Sequence, residues 1–162
     1  MVGLPGERMY AIGGSHSING RDAVKECYEI QPNGTKIQRA SMFTARSNFG
    51  CAVYPNFSQI FIAGGSVSDT EATRACERYI VKDDQWKRLP EIREAKTNIG
   101  LCFFNNGGTL YCFGGAVKVQ GKVTVTRSIE RLSKGQNNWQ LLNVHMPECL
   151  MDVGALQLPG TD

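Results

Sequence analysis

The sequence predicts an all-β fold built from three consecutive repeats of about 50 residues. Two observations lead to this prediction. Short apolar segments end in a pair of glycines at nearly constant spacing, and no segment keeps the 3.6-residue apolar period of a helix. The pairs lie 51 and 50 residues apart and are Gly13 with Gly14, Gly64 with Gly65, and Gly114 with Gly115. Glycine closes a strand where the backbone needs a positive φ or a close approach.

Further marks recur after each glycine pair, in one order. A glutamate stands two residues before a large side chain in every repeat, and a tryptophan follows the second and third glutamates by nine residues. These marks are Glu26, Glu77 and Glu130, then Tyr28, Tyr79 and Leu132, then Trp86 and Trp139. Lys36 stands where the first repeat should have its tryptophan. The recurrence indicates one structural unit used three times.

This pattern resembles the kelch repeat, whose unit is one four-stranded blade of a β-propeller. The resemblance covers essentially the whole chain. It implies an all-β, kelch-type β-propeller segment of about three four-stranded antiparallel blades. The predicted repeats span residues 1–48, 49–98 and 99–152, and residues 153–162 begin the innermost strand of a next blade.

Individual segments carry their own strand and turn signals. Residues 60–63 are continuously apolar, which predicts an inner strand covered on both faces. Residues 76–81 alternate charged with apolar side chains, which predicts a half-exposed outer strand. The Asn-Asn-Gly-Gly run at 105–108 joins two apolar stretches and predicts a hairpin turn.

The recurring aromatic and acidic residues are interpreted as structural. Tyr28, Tyr79, Trp86 and Trp139 occupy fixed repeat positions, so packing between blades is favoured over an aromatic binding surface. Glu26, Glu77 and Glu130 occur once per repeat, so two of them would not converge on one substrate for acid–base chemistry. We expect these glutamates to form ion pairs or hydrogen bonds between blades, with Arg46 or Lys96 as partner.

Charge, hydropathy and cysteine usage exclude several classes of protein. The net charge of +3 comes from scattered residues with no basic run, so no nucleic-acid partner is expected. No apolar stretch approaches the ~20 residues that span a bilayer, so no membrane partner is expected. The six cysteines include no Cys-x-x-Cys, and His16 lies far from His145, so we expect neither a zinc site nor any cofactor. Cysteines at strand positions act as small apolar residues, which favours a reducing, cytoplasmic location.

Three blades do not close a propeller, which typically has four to eight. Residues 4–6 and 158–160 share the sequence Leu-Pro-Gly, which predicts that the chain begins and ends at the same phase of the repeat. Two arrangements supply the missing blades. Either they belong to the same, longer chain, which we favour, or a second copy closes the ring.

The kelch resemblance implies a protein–protein interaction module that presents loops to a protein or peptide partner. Family members serve as cullin-type ubiquitin-ligase adaptors or as cytoskeletal scaffolds. The alternative is an enzyme of galactose-oxidase-like or mutarotase-like type, with its site in other blades; no catalytic residue is assigned here. Positions that match the family's contact loops are Ser15, His16, Ser66, Val117 and Lys118 after the glycine pairs, and Asn48, Asn98 and Asp152 before the next inner strand. The last three equally fit loop-capping hydrogen bonds.

Overall fold

The first four-stranded antiparallel sheet is formed by the first repeat. The computed structural model describes residues 1–17, 22–119 and 122–154. Strands β1 (Val2–Leu4), β2 (Arg8–Ser15), β3 (Ala23–Ile30) and β4 (Lys36–Arg39) pair in chain order. Each strand therefore lies beside the next one along the chain, which requires only short turns.

The second sheet repeats this topology. It contains β5 (Gly50–Val53), β6 (Gln59–Ala63), β7 (Cys76–Ile80) and β8 (Gln85–Leu89), again paired in chain order. A three-residue 3₁₀ turn, Val81–Asp83, precedes β8 and is the only helical segment in the described ranges. No helix among the described residues is long and apolar enough to cross a membrane.

The third repeat forms a third four-stranded sheet and contributes a hairpin to a smaller one. Strand β9 (Lys96–Thr97) precedes β10 (Gly100–Phe104) and β11 (Thr109–Phe113). Strands β12 (Ala116–Val119) and β13 (Lys122–Val125) form the hairpin, and β14 (Ser128–Ser133) and β15 (Gln140–His145) complete the sheet. The third sheet has the order β10-β11-β14-β15, and the small sheet has the order β13-β12-β9. The predicted all-β class and the three four-stranded antiparallel units are confirmed.

Two hydrophobic cores lie between neighbouring sheets. Leu4, Tyr10 and Ile12 of the first sheet share one core with Ile60, Ile62, Tyr79 and Trp86 of the second. Phe61 and Ala63 of the second sheet share the other core with Phe103, Leu110 and Trp139 of the third. The second sheet thus buries both faces against its neighbours, and the first and third sheets each bury one face, which is how propeller blades pack.

The tryptophans join consecutive sheets by a hydrogen bond as well as by packing. The Trp86 indole N–H donates to the Ala40 carbonyl over 2.7 Å, and the Trp139 indole N–H donates to the Pro90 carbonyl over 2.8 Å. A buried indole that finds such a partner avoids the cost of an unpaired donor. Each tryptophan therefore ties its own sheet to the end of the preceding one.

The residue equivalent to tryptophan in the first sheet is Lys36, the position that the sequence predicts. Cys76 pairs with Ala63, the residue before a glycine pair, and Cys27 likewise pairs with Ile12. Three residues further on, Tyr79 pairs with Trp86, and Ile30 pairs with Lys36. The glutamate of the first repeat is the mark that is out of register, because Tyr28, and not Glu26, stands at the strand position of Glu77.

Strand β7 is not the half-exposed strand that its alternating pattern predicts. Glu77 is fully buried and Arg78 is half-buried, because sheets pack against both faces of the second sheet. The alternation in this strand therefore distinguishes two buried faces. Glu77 and Tyr79 face the first sheet, and Arg78, which lies between them, faces the third sheet.

The first glycine of each pair allows a close approach by the connection that leaves the last strand of the same sheet. A Cβ at Gly64, where φ is +63°, would collide with the carbonyl oxygen of Lys96. The same carbonyl accepts a 2.8 Å hydrogen bond from the Gly65 N–H. Glycine is therefore required at position 64, both for its backbone conformation and for the space it leaves.

Asp84 connects the second sheet to the first by hydrogen bonds. Its environment predicts that the stability of the fold decreases at acid pH. Its carboxylate accepts hydrogen bonds from the Tyr79 hydroxyl at 2.6 Å and from the Ala40 N–H at 2.9 Å. These bonds hold the pKa of Asp84 below its usual range, the tyrosine bond contributing most. A carboxyl group with a depressed pKa stabilises the fold above its unfolded pKa, and the contribution is lost as pH falls through the folded value.

We expect Asp84→Asn to weaken the dependence of stability on acid. The parent chain should lose more unfolding free energy than the variant between about pH 6 and about pH 2.5, measured by urea denaturation. Asp83→Asn, at the exposed neighbouring position, is the control and should behave like the parent. Equal losses in the parent and Asp84→Asn would contradict this role for Asp84.

All six cysteines are free thiols, and their environments predict different reactivities. Cys27, Cys76 and Cys112 are buried, and burial raises the pKa of each thiol to about 12. Cys149 is exposed. Because the thiolate is the reacting species, we expect N-ethylmaleimide to label Cys149 first and the buried three only after unfolding in urea. Peptide mass spectrometry over time measures this, and fast native labelling of Cys76 would contradict the buried core.

Candidate functional site

The candidate site lies at the end of the sheets where the glycine pairs meet the connections between blades, which we call the glycine-pair end. The connection after each sheet returns to this end before the next inner strand begins. It carries a polar residue with positive φ each time, at Asn48 (52°), Asn98 (57°) and Asp152 (58°). Asn and Asp tolerate this left-handed conformation better than other non-glycine residues.

These three residues form a hydrogen-bonded row. The Asn98 N–H donates to the Asn48 carbonyl over 2.7 Å, and the Asp152 N–H donates to the Asn98 carbonyl over 2.9 Å. The side-chain amide of Asn98 also donates to the Asp152 carboxylate. The side chains of Asn48 and Asp152 remain exposed, whereas that of Asn98 is half-buried. The row therefore makes loop-fixing bonds and still presents polar groups to solvent.

Lys118 extends from the third blade over the second. The sequence placed Val117 and Lys118 in a loop, but both belong to strand β12, whose hairpin pairs with β9. The Lys118 ammonium donates to the Ser66 hydroxyl at 3.0 Å and to the Asp69 carbonyl at 3.4 Å. The hairpin therefore fixes a half-buried positive charge across two blades.

Thr97 connects the row of Asn48, Asn98 and Asp152 to Lys118, although it is not among the site residues predicted from the repeats. Its hydroxyl lies 3.0 Å from the Ser66 hydroxyl and within hydrogen-bonding distance of both the Asn48 carbonyl and the Asn98 side chain. A signal was present, because a hydroxyl residue stands between a basic residue and an asparagine at 46–48 and again at 96–98. We call the linked residues Ser66, Thr97, Asn98, Lys118 and Asp152 the polar cluster.

Ser15 and His16 lie at the glycine-pair end of the first blade, apart from the polar cluster. Ser15 is half-buried, and its hydroxyl lies 3.4 Å from that of Ser17. His16 is exposed, and its backbone N–H donates to the Asp22 carbonyl. No hydrogen bond among the described residues joins either side chain to the polar cluster, so the predicted set divides into two groups.

Two buried ion pairs lie next to the glycine-pair end. Arg46 pairs with Glu77 at 2.5 Å, and the same guanidinium donates to the carbonyls of Gly64 and Ala75. The backbone N–H of Arg46 donates to the Val24 carbonyl of the first sheet. The pair therefore joins the first blade to the second, in agreement with the ion pair expected for Glu77.

A second ion pair repeats the arrangement one blade further on. Lys96 lies 2.8 Å from Glu130 and donates to the Ser128 hydroxyl at 3.1 Å. Burial lowers the pKa of Lys96, but the neighbouring Cys112 and Glu130 outweigh burial and hold the pKa above its ordinary value. Each of these two glutamates is thus neutralised by a basic residue from the connection that precedes its own blade. Within the described ranges, no group of three or more His, Cys, Asp or Glu side chains has an arrangement that would hold a metal.

The first blade has no carboxylate at the position of Glu77, where Tyr28 stands instead. Glu26 is half-buried and, among the described residues, has no ion pair. Tyr28 is 36% exposed, whereas Glu77 at the equivalent position is fully buried. The difference arises because no sheet within this chain packs on that face of the first blade. The opposite outer face, on the third blade, carries the aromatic group Phe104, Tyr111 and Phe113.

Comparison with known sequences finds relatives that share these repeats. Kelch-like protein 40 of Xenopus laevis is 32% identical over 138 residues, covering 82% of this chain and 21% of that protein. Kelch repeat and BTB domain-containing protein 2 of Ectromelia virus is 30% identical over 105 residues, covering 64% and 18%. F-box/kelch-repeat protein SKIP20 of Arabidopsis thaliana is 31% identical over 96 residues, covering 53% and 23%. The chain thus spans about a fifth of the length of these relatives.

The other two comparisons concern family models and solved structures. No family model matches the chain. The structure of YjhT superposes with a TM-score of 0.78 over 95% of this chain and 56% of that one, at 10% sequence identity, which shows the fold alone. Repeat spacing, blade topology and similarity to kelch proteins agree. The chain therefore belongs to the kelch-repeat family, and its three four-stranded sheets are blades of a β-propeller.

Proposed function

We propose that the chain is a protein-interaction module that presents its glycine-pair end to a protein or peptide partner. The observation that supports this proposal is the polar cluster, which draws residues from two neighbouring blades and from the connections that follow them. Rigid blades hold these groups in fixed positions, which lowers the entropy lost when a partner binds. The module binds and does not catalyse.

The proposed contact residues differ in their exposure and therefore in their role in binding a partner. His16, Asn48 and Asp152 are exposed, and Lys118 and Asn98 are half-buried, so these side chains are accessible to a partner. Ser66 is buried and holds Lys118 in place through their hydrogen bond. In this proposal Ser15 and Val117, both half-buried, complete the surface at its edges.

The proposed partner surface is tested by capture from an extract of the source cells. Lys118→Ala and Asp152→Ala should each reduce the amount of bound partner, quantified by mass spectrometry, by about fivefold or more. Lys25→Ala, an exposed lysine at a β3 position of the first blade, is the control and should bind as the parent does. A partner captured equally by all four proteins would overturn the assignment of this surface.

The finer role we propose is substrate recognition for a cullin-type ubiquitin ligase. The names of two relatives combine kelch repeats with a BTB domain or an F-box, which supports blades that act beside such a domain. A cytoskeletal scaffold is the alternative. The six free thiols support work in a reducing, cytoplasmic compartment.

The two outer blade faces require further blades, which we propose come from the same longer chain or from a second copy. Tyr28 on one face and Phe104 on the other are exposed, although the equivalent faces of the second blade are buried. Light scattering at several concentrations distinguishes the sources. A stable mass of two chains supports closure by a second copy, and a monomer at all concentrations supports blades from a longer chain.

A further inference from the structure

A second concave site lies at the opposite end of the blades, which we call the hairpin-turn end. Turns 54–58 and 105–108 and the loop after Ser133 meet there, between the second and third sheets. They enclose a cavity of about 390 Å³, within the range of small-molecule sites. The polar cluster lies at the other end of the strands, so the two sites are separate.

Three aromatic rings form one wall of this cavity. Tyr54 and Phe61 are stacked with ring centroids 6.2 Å apart, and both contact Phe103 edge-on at 5.2 and 4.8 Å. Gly107 lies against the Tyr54 ring, since a Cβ there would be 2.5 Å from the ring carbon Cε2. The backbone at Gly107 has a φ of +85°, which also favours glycine. The wall is thus an apolar aromatic surface against which another aromatic ring can pack.

The cavity is also positively charged. Arg78 donates from Nη1 to the Gln59 side chain at 3.2 Å, while its Nε–H is buried with no hydrogen-bond acceptor among the described residues. Lys134 lies exposed at the rim. No lining residue carries a carboxylate. A ligand carboxylate in the cavity would pair with the Arg78 guanidinium through a charge-assisted bond.

We propose that this cavity binds a carboxylate attached to an aromatic body. The ring of the ligand packs on the wall formed by Tyr54, Phe61 and Phe103, and its carboxylate accepts from Arg78 and Lys134. The ligand is either a small aromatic acid or the C-terminal aromatic residue of a peptide, because both carry the same two groups.

The probe is N-acetylphenylalanine, titrated into the ¹⁵N-labelled chain and followed by NMR. Backbone amides of Gly107, Lys134 and Gly135 should shift, and those of the polar cluster should not. The neutral analogue, N-acetylphenylalanine amide, should bind about tenfold more weakly or worse, because it lacks the charge. Equal affinity for acid and amide, or no shift of these three amides up to about 10 mM acid, would overturn the proposal.

Charge-removing variants locate the site. Arg78→Met and Lys134→Met should each weaken acid binding about tenfold, while Lys25→Met on the first blade should leave it unchanged. Lys134 is exposed, so its replacement tests the site even where Arg78→Met fails to fold. Unchanged binding by Lys134→Met and a folded Arg78→Met would overturn the proposal. Lys118→Ala, which tests the proposed partner surface, should have no effect here.

A peptide ending in phenylalanine separates the two sources of ligand. Tighter binding by N-acetyl-Ala-Ala-Phe than by N-acetylphenylalanine supports a peptide C-terminus. Binding no tighter than that of the single residue supports a small aromatic acid. Either result requires the acid to bind more tightly than its amide.

Discussion

Replacing Glu77 with glutamine is expected to destabilise the chain by about 3–5 kcal/mol. Glu77 and Arg46 are both fully buried, and the carboxylate also accepts hydrogen bonds from the N–H groups of Phe43 and Thr44. Removing its charge leaves the Arg46 guanidinium buried without a counter-ion, which costs more than the pair contributes when intact. The free energy of unfolding in urea measures the effect.

Glu26→Gln is the matched control for this prediction. Glu26 lies on β3, the strand of the first blade that corresponds to β7, where it is half-buried and has no ion pair among the described residues. Its replacement should change stability by no more than about 0.5 kcal/mol. If Glu77→Gln were as mild as Glu26→Gln, the buried pair would not join the first two blades as described.

Replacing Trp86 with alanine is expected to cost about 3–5 kcal/mol of stability. Its ring packs against Tyr79 with centroids 5.2 Å apart, inside the core shared by the first two blades. Truncation creates a cavity there and removes the hydrogen bond to the Ala40 carbonyl. Thermal or urea unfolding of the chain reports the loss.

Lys36→Ala provides the comparison, since Lys36 holds the equivalent strand position in the first blade and is exposed. We expect its effect to stay within about 0.5 kcal/mol. A Trp86→Ala chain that melted no earlier than the parent would contradict the placement of this ring between blades.

The fold could be predicted from the sequence because its marks recur with the period of one blade. Glycine pairs, turns and apolar strands are local signals, and their threefold repetition predicted the three four-stranded sheets but not the small sheet of β9, β12 and β13. The sheet that packs against a given face of a strand is not determined by the local sequence of that strand. The pattern around Glu77 therefore predicted a half-exposed strand, and the longer connection after Gly14 concealed that Tyr28, not Glu26, takes the position of Glu77.

The candidate site was less predictable, because it is assembled from segments about 50 residues apart. Repeat positions selected Asn48, Asn98 and Asp152, but only the folded chain shows that they bond to one another. Thr97 and the hairpin that carries Lys118 depend on contacts between blades, which no single segment encodes. The partner-binding role of these residues and the repeat boundaries stay predictions. The matching residues 158–160 lie outside the described residues.

Photo-crosslinking at the two ends of the blades tests the partner surface most directly. A photoreactive amino acid replaces His16 or Asn48 at the glycine-pair end, or Phe57, which is exposed at the hairpin-turn end. In an extract of the source cells, one partner protein should crosslink from positions 16 and 48 and not from position 57. Crosslinking of that protein from position 57 alone, or of no protein from positions 16 and 48, would contradict a partner surface at the glycine-pair end.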